Sequence, residues 1–521
     1  MIKKITAYIL SICVMFTCVI NFTVTASAEA WGDYDSEDGL FHISTAQQLV
    51  ELSEITKTTG HPALTSKFVL DNDITIPASL DNQINIASDS DNPFAGTFDG
   101  NGHTISGLKH STYSTDSGLF GFTKGATIKN LNIDMADIQT VNRGGIIVGH
   151  AENTDFLNIS ITNSHVKIIS GGVAIELITA DGATIGGIAG EAIDGCHMYN
   201  CETVDTLIDT GEAEGVAALG GDGYYIGGLV GTLDNSHIEY SRTISTKRTD
   251  GGKINANLVV AVSALSFKSI YVGGIVGEMK NGASVIDSFS NIELYSDPAT
   301  GVTVIGAVYG YVGGIVGVVY GSSCKLERCQ YSGKTYQKDF GGLLIVAPVY
   351  NSHRAGIIGH LDECSLTDRD MDGKGTFNNL YFNYERVSEA GDGDDCSLAY
   401  VNTSAGIYYT VDTEGHGSSL SNAEYAVQDS WENNDFDFKG STLRDTPCNI
   451  FFSENGNGGQ HVNQWVMKTY NYENTSETAY YETTMPVHGI TTMKVYSNIN
   501  NAFTDPNPVN MERSEERRVG K

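Results

Sequence analysis

Gly227-Gly-Leu-Val-Gly231, Gly273-Gly-Ile-Val-Gly277 and Gly313-Gly-Ile-Val-Gly317 are one phrase written three times in a chain of 521 residues. Looser copies read GLFG at 118–121, GGIIVG at 144–149, GGIAG at 186–190 and GIIG at 356–359, and a degenerate copy stands at Gly406-Ile407. Aligned on the last glycine before Leu or Ile, the copies begin at 118, 145, 187, 228, 274, 314, 356 and 406, so the steps are 27, 42, 41, 46, 40, 42 and 50. A unit that recurs near 40 residues predicts a stacked array, in which each unit buries its apolar face against the next.

Within a unit the pattern is that of short strands. Ala126-Thr-Ile-Lys-Asn-Leu-Asn-Ile-Asp134 and Ser284-Val-Ile-Asp-Ser-Phe-Ser-Asn-Ile-Glu293 alternate with period 2, one face apolar. Gly301-Val-Thr-Val-Ile305 predicts a further strand in the connection. No stretch between strands has a capped 3.6 period, which excludes crossover helices. The expected fold is therefore all-β: a right-handed parallel β-helix with an N-terminal helix and strand as its cap. Two turns of roughly 20 residues per unit are expected, some fourteen turns from Gly118 to Gly406, a rod of roughly 65 Å at about 4.8 Å per turn. Glycine is expected at corners, for positive φ or for close backbone approach. A propeller shares the period but needs a tryptophan signature in each blade. Only Trp31, Trp431 and Trp465 are present.

With Phe94-Ala-Gly-Thr-Phe-Asp-Gly-Asn-Gly-His-Thr-Ile-Ser-Gly-Leu108, the glycine phrase resembles the GLUG-repeat β-helix proteins that bacteria secrete or display. Ile43-Ser-Thr-Ala-Gln-Gln-Leu-Val-Glu-Leu52 and Phe68-Val-Leu-Asp-Asn-Asp-Ile-Thr-Ile76 resemble the helical entry and first strand that precede such arrays. The resemblance covers about residues 40 to 440 and implies an adhesin or stalk. Related repeats also flank the catalytic domain of immunoglobulin A proteases, which carry an H-E-x-x-H zinc helix. No His-Glu dipeptide occurs in this chain.

The formal net charge of −32 repels phosphate backbones and anionic lipid, which argues against a nucleic-acid partner. Lys3 and Lys4, an apolar stretch from Ile5 to Val24 and Ala26-Ser27-Ala28 predict a secretion signal over 1–28, with no membrane insertion once it is removed. Residues 29–110 are expected as the cap and first coils, 111–440 as the repeat β-helix, and 441–510 as C-terminal coils or a small β domain. Met511 to Lys521, MERSEERRVGK, contrasts with the texture before it. It resembles a translated sequencing-adaptor read, so the natural chain is expected to run on past about Asn510. Cys13 and Cys18 lie in the signal, leaving Cys196, Cys201, Cys324, Cys329, Cys364, Cys396 and Cys448. Neither C-x4-C pair has zinc spacing, so buried thiols are expected.

No catalytic or cofactor-binding residue is assigned. Asp368, Asp370 and Asp372 followed by Gly373 open like a Ca2+ loop, but position 12 is Asn379, so an acidic turn competes with a partial, weak Ca2+ site. Asn153-Thr154-Asp155, Asp394-Asp395 and His488-Gly489 match scattered fragments of a galacturonan-hydrolase signature, read as chance. His103 and the pairs Tyr381-Phe382, Tyr408-Tyr409 and Tyr480-Tyr481 read as structural, although exposed tyrosines also stack on sugars. The functional expectation is a secreted or surface rod that binds an extracellular glycan or a host surface protein without catalysis. A carbohydrate-active enzyme on the same fold, or a stalk for a further C-terminal domain, are the alternatives.

Overall fold

The computed structural model describes residues 33–364 apart from 36, 112–113, 170–182, 211–222, 246–250, 257–258, 265–268, 297–298, 306–308, 322 and 338–352, and beyond 364 it describes strand segments. The chain enters through a hairpin, Asp33–Asp35 against Leu40–Ile43, and one α-helix, Ala46–Ile55. Thr45 caps that helix in a capping box with Gln48, each side chain bonding the other's backbone N–H. Leu49, Val50 and Leu52 bury its apolar side over the end of the coil. Asp71 ties the hairpin down: its carboxylate lies 2.6 Å from His42 Nδ1 and accepts from Ser44 Oγ at 2.9 Å.

From there the chain winds as a parallel β-helix. Phe41, Phe68, Phe98, Ile128, Phe156, Met198, Ile238, Val285, Leu326 and Phe377 stand in one register column, each paired in parallel with the next. That column counts ten rungs, one coil each. A coil advances 27 to 30 residues through the first five rungs and 40 to 51 thereafter. The expectation of two short turns per unit is therefore corrected, since each glycine phrase sits on the next with a single turn between them. Nine steps of about 4.8 Å make a described rod of roughly 43 Å.

Each repeat coil presents four strand positions. The first belongs to a 17-stranded sheet (sheet I), the second to a seven-stranded sheet from Lys109–His110 to Thr335–Gln337 (sheet II). The third belongs to a seven-stranded sheet from Asp116–Ser117 to His353–Ala355 (sheet III), the fourth to a nine-stranded sheet beginning at Phe120–Lys124 (sheet IV). The jump in coil length has one cause, the connection from sheet II to sheet III. It runs from Thr140 to Arg143 in one coil and from Ile168 to Thr184 in the next. Val259–Ala264 and Ala299–Ile305, within later copies of this connection, pair in parallel outside the four sheets. Beyond the coils, Cys448–Ser453, Val462–Tyr472, Thr475–Thr483, Thr492–Tyr496 and Val509–Glu512 form an antiparallel sheet of their own.

The glycine phrase turns the chain from sheet III to sheet IV, and close approach is its reason. A Cβ on Gly228 would lie 2.0 Å from the Gly274 carbonyl oxygen and 2.6 Å from Thr243 Cγ2, which rises from sheet I. Positive φ is supplied at other corners, by glycines such as Gly125 and Gly282 and by Asn and Asp: Asn130, Asn158 and Asn200 adopt φ 50, 56 and 53°. Their amides form a ladder, Asn200 donating to Asn158 at 2.9 Å and Asn158 to Asn130 at 3.0 Å. The turn at Asn200 also explains the first C-x4-C pair: it resets the alternation, so Cys196 and Cys201 both face inward and are fully buried. Arg328, φ 51°, does the same between buried Cys324 and Cys329. Burial pushes the Cys201 and Cys329 thiols up to about 12.

Gly228→Ala is expected to destabilise the chain by about 3 kcal/mol through overpacking. Gly321→Ala, where φ is 82° and no atom lies within 4 Å of the new Cβ, should cost about 1 kcal/mol. Denaturant unfolding checks both, and equal losses would contradict the close-approach account. The cap adds a pH dependence. The hydrogen bond to Asp71 raises the His42 pKa against a smaller effect of burial, while Asp71 itself is held low because hydrogen bonds from His42 and Ser44 outweigh its burial. The pair therefore stabilises most between about pH 4 and 6.5, weakening as Asp71 protonates below and as His42 deprotonates above. In thermal unfolding from pH 5 to 8, His42→Asn should flatten the decline seen at the alkaline end.

Candidate functional site

Sheets III and IV meet at the glycine phrase with their outer faces turned toward each other, making a lateral cleft that the facing side chains largely fill, most of them buried. Contacts across it define the geometry. Arg143 of sheet III reaches His150 and Glu191 of sheet IV, the Tyr311 and His360 rings lie 4.4 Å apart, and Tyr320 Oη donates to Tyr271 Oη at 3.2 Å. The floor is glycine backbone: a Cβ on Gly227 would stand 1.8 Å from the Val230 carbonyl oxygen.

Each coil contributes one residue to each wall. From sheet III come Asp116, Arg143, Thr184, Tyr225, Tyr271, Tyr311 and His353, in continuous register. From sheet IV come Phe122, His150, Glu191, Thr232, Glu278, Val318 and His360. From Arg143/His150 onward the two residues of a rung are seven apart, straddling the phrase. That spacing was available in the sequence, but its chemistry appears only when the coils are stacked.

The lower cleft is an ion-pair network. Arg143 pairs through Nε with the buried Asp116 carboxylate and through Nη1 with Glu191 at 3.2 Å, its guanidinium 5.6 Å from the Phe122 ring centroid. Burial works against the Arg143 charge, yet Asp116 and Glu191 raise its pKa further above an already high value. Burial likewise draws Glu191 upward, but the hydrogen bond from His150 and the Arg143 charge win and hold its carboxyl below the usual range. His150 Nδ1 lies 2.8 Å from Glu191 Oε2.

The upper cleft is aromatic. Tyr225, Tyr271 and Tyr311 stack at 5.3 and 5.2 Å with interplanar angles of 6 and 9°, and the His353 ring follows Tyr311 at 5.4 Å. Burial, with the neighbouring His360, pushes His353 down to about 4. Opposite Tyr271, Glu278 is held by Lys280 at 2.8 Å and by Thr232 Oγ1 at 3.1 Å, and burial nevertheless raises its pKa. Glu191 and Glu278 thus stand two rungs apart on one wall, about 9.6 Å, with their acidities shifted in opposite directions.

None of the sequence-selected positions whose side chains are described lines this cleft. Asp368, Asp370 and Asp372, with Asp394-Asp395 and His488-Gly489, fall outside the described residues. His103 Nδ1 lies 3.3 Å from Asp73 Oδ1 in the N-terminal turns. Thr154 is buried and donates to the Glu152 carbonyl, while Tyr381 and Phe382 are buried as well. Asp35, Asp38 and His42 bring three ligand-type atoms within 4.8 Å of one another at the exposed N-terminal hairpin. No helix among the described residues is long and apolar enough to cross a membrane.

Because the Asp116 side chain is only 4% exposed, Arg143→Met should leave it uncompensated and cost about 3–5 kcal/mol. Glu191→Gln, which keeps an acceptor beside both partners, should cost about 1 kcal/mol. Equal losses in denaturant unfolding would show that Asp116 does not depend on Arg143.

No family model matches the chain, and no curated protein matches it. Among solved structures, one titled "putative immunoglobulin A1 protease" from Bacteroides ovatus is similar over 63% of this chain and 88% of its own, at 19% identity and a TM-score of 0.37. An IgA1 protease is similar over 87% of this chain and 33% of its own, at 13% identity and a TM-score of 0.36. Likeness at this level carries no statement of activity.

Proposed function

We propose that the chain is a secreted or cell-surface β-helical rod of the GLUG-repeat kind, an adhesin that binds an extracellular glycan along its lateral cleft without catalysis. One observation carries this reading: the charged groups of the cleft are tied to one another. Arg143 is shared by Asp116 and Glu191, His150 is held by Glu191, and Glu278 by Lys280 and Thr232. Such a network is a fixed array of donors and acceptors, suited to holding hydroxyl groups in one orientation. The signal-like start of the chain and the acidic composition agree with an extracellular setting.

A second reading is favoured by the Glu191/Glu278 pair. Inverting glycosidases separate an acid and a base by about 6.5–9.5 Å, and they push the two acidities apart. Incubation of the full chain with a panel of polysaccharides, followed by assay of binding and of new reducing ends, separates the two readings. Binding with no reducing ends is the expected result. Release of reducing ends that Glu191→Gln and Glu278→Gln each abolish would replace the rod with a hydrolase.

A further inference from the structure

We propose that Tyr295 and Tyr336 form an oxidative modification site, at which hydrogen peroxide acting through a haem peroxidase joins the two rings as an intramolecular dityrosine. The two residues are register partners in adjoining coils of sheet II. Their strand neighbours Leu294 and Thr335 are buried in the coil, whereas both tyrosines stand on the outer face and are half-buried. Their rings stack with centroids 4.4 Å apart and planes within 5° of parallel. The Lys253 ammonium reaches from the preceding coil to 4.7 Å from the Tyr295 ring centroid, and a cation at a ring face helps to hold that ring in place.

Exposure and ring geometry set this pair apart from the other tyrosine contacts. Tyr225, Tyr271 and Tyr311 are also parallel, but at 5.3 and 5.2 Å and with only 9, 7 and 3% of each residue exposed. Tyr199 and Tyr240 are half-buried, but their rings cross at 70° with centroids 5.3 Å apart. Orbital overlap decides between them. Loss of one electron and the phenolic proton leaves a phenoxyl radical, its unpaired electron shared by the oxygen and the Cε carbons in orbitals perpendicular to the ring. Two such radicals couple through those orbitals, so parallel rings in contact meet as the reaction requires and crossed rings do not. A Cε–Cε bond forms, and the hydrogens on the two joined carbons pass to the phenoxyl oxygens, which restores both phenols. The pair gives up two electrons and two protons in all, and these reduce one hydrogen peroxide to two waters. The product is a covalent tie between adjoining coils that limits the opening of the turn it encloses.

The test is exposure of the full chain to hydrogen peroxide and a haem peroxidase, followed by isolation of the monomer, digestion and mass spectrometry. The monomer is expected to gain dityrosine fluorescence, with linked peptides that carry Tyr295 and Tyr336 and lack two hydrogens. Tyr295→Phe and Tyr336→Phe, which keep the ring and lack only the hydroxyl, should each lose this product, while Tyr199→Phe should retain it. Should either Phe variant at the site fail to fold, the peptide map of the wild type decides. Absence of dityrosine overturns the site, and so does dityrosine found only between molecules or only at other tyrosines of the monomer. A modified monomer that melts no higher than the untreated chain overturns the tie's part in holding the coils.

Discussion

Parallel strands hydrogen-bonded in register place every side chain about 4.8 Å above its counterpart in the previous coil. That spacing decides which residue can follow which. It lets apolar groups build the continuous interior column from Phe41 to Phe377, and it sets the Asn130, Asn158 and Asn200 amides within hydrogen-bonding distance of one another. It also brings aromatic rings to parallel stacking in Tyr225, Tyr271 and Tyr311. A side chain therefore answers to two neighbours far away in sequence before it answers to any neighbour along its own strand.

The cleft arises from a second constraint added to the first. Where sheet III meets sheet IV the backbone is pressed against side chains of sheet I from within and against backbone of adjoining coils, leaving no room for a Cβ at positions such as Gly227 and Gly228. The corner folds inward as a result. Outward-pointing residues on the two flanking strands then converge, which half-buries Arg143, His150 and Glu191 beside one another. The shifted acidities of Arg143 and Glu191 follow from that enclosure: burial disfavours charge, and the opposite charges that share the enclosure outweigh it.

How much of this was legible in the sequence depends on the scale of the feature. The recurrence of the glycine phrase marked the coil period, and the alternation in Ala126–Asp134 marked a strand with one buried face, because both are local properties of the chain. The helical entry was read only through the resemblance of Ile43–Leu52, and the Thr45 and Gln48 capping box that starts it is a finding of the structure. The number of turns was misjudged because four strand positions and a long connection from sheet II to sheet III fill one coil, and period-2 segments look alike wherever the coil places them. Glycine plays both expected parts, crowded in the phrase and left-handed at corners such as Gly125, Gly195 and Gly282, where Asn and Asp share the positive φ. The cleft was missed altogether. Arg143, His150, Glu191 and Glu278 are scattered over more than a hundred residues, and only their common offset from the phrase hinted that they share one wall or face each other.

One coil per repeat has an evolutionary corollary. Duplication or loss of a single unit of about 40 residues shifts every later coil by one ladder spacing and leaves all other pairings intact. Each such event inserts or deletes one facing pair of the cleft, along with one copy of the phrase that forms its floor. Recombination between the near-identical phrases at Gly227, Gly273 and Gly313 would thus edit this corner of the coil in whole steps, lengthening or shortening it while the fold stays the same.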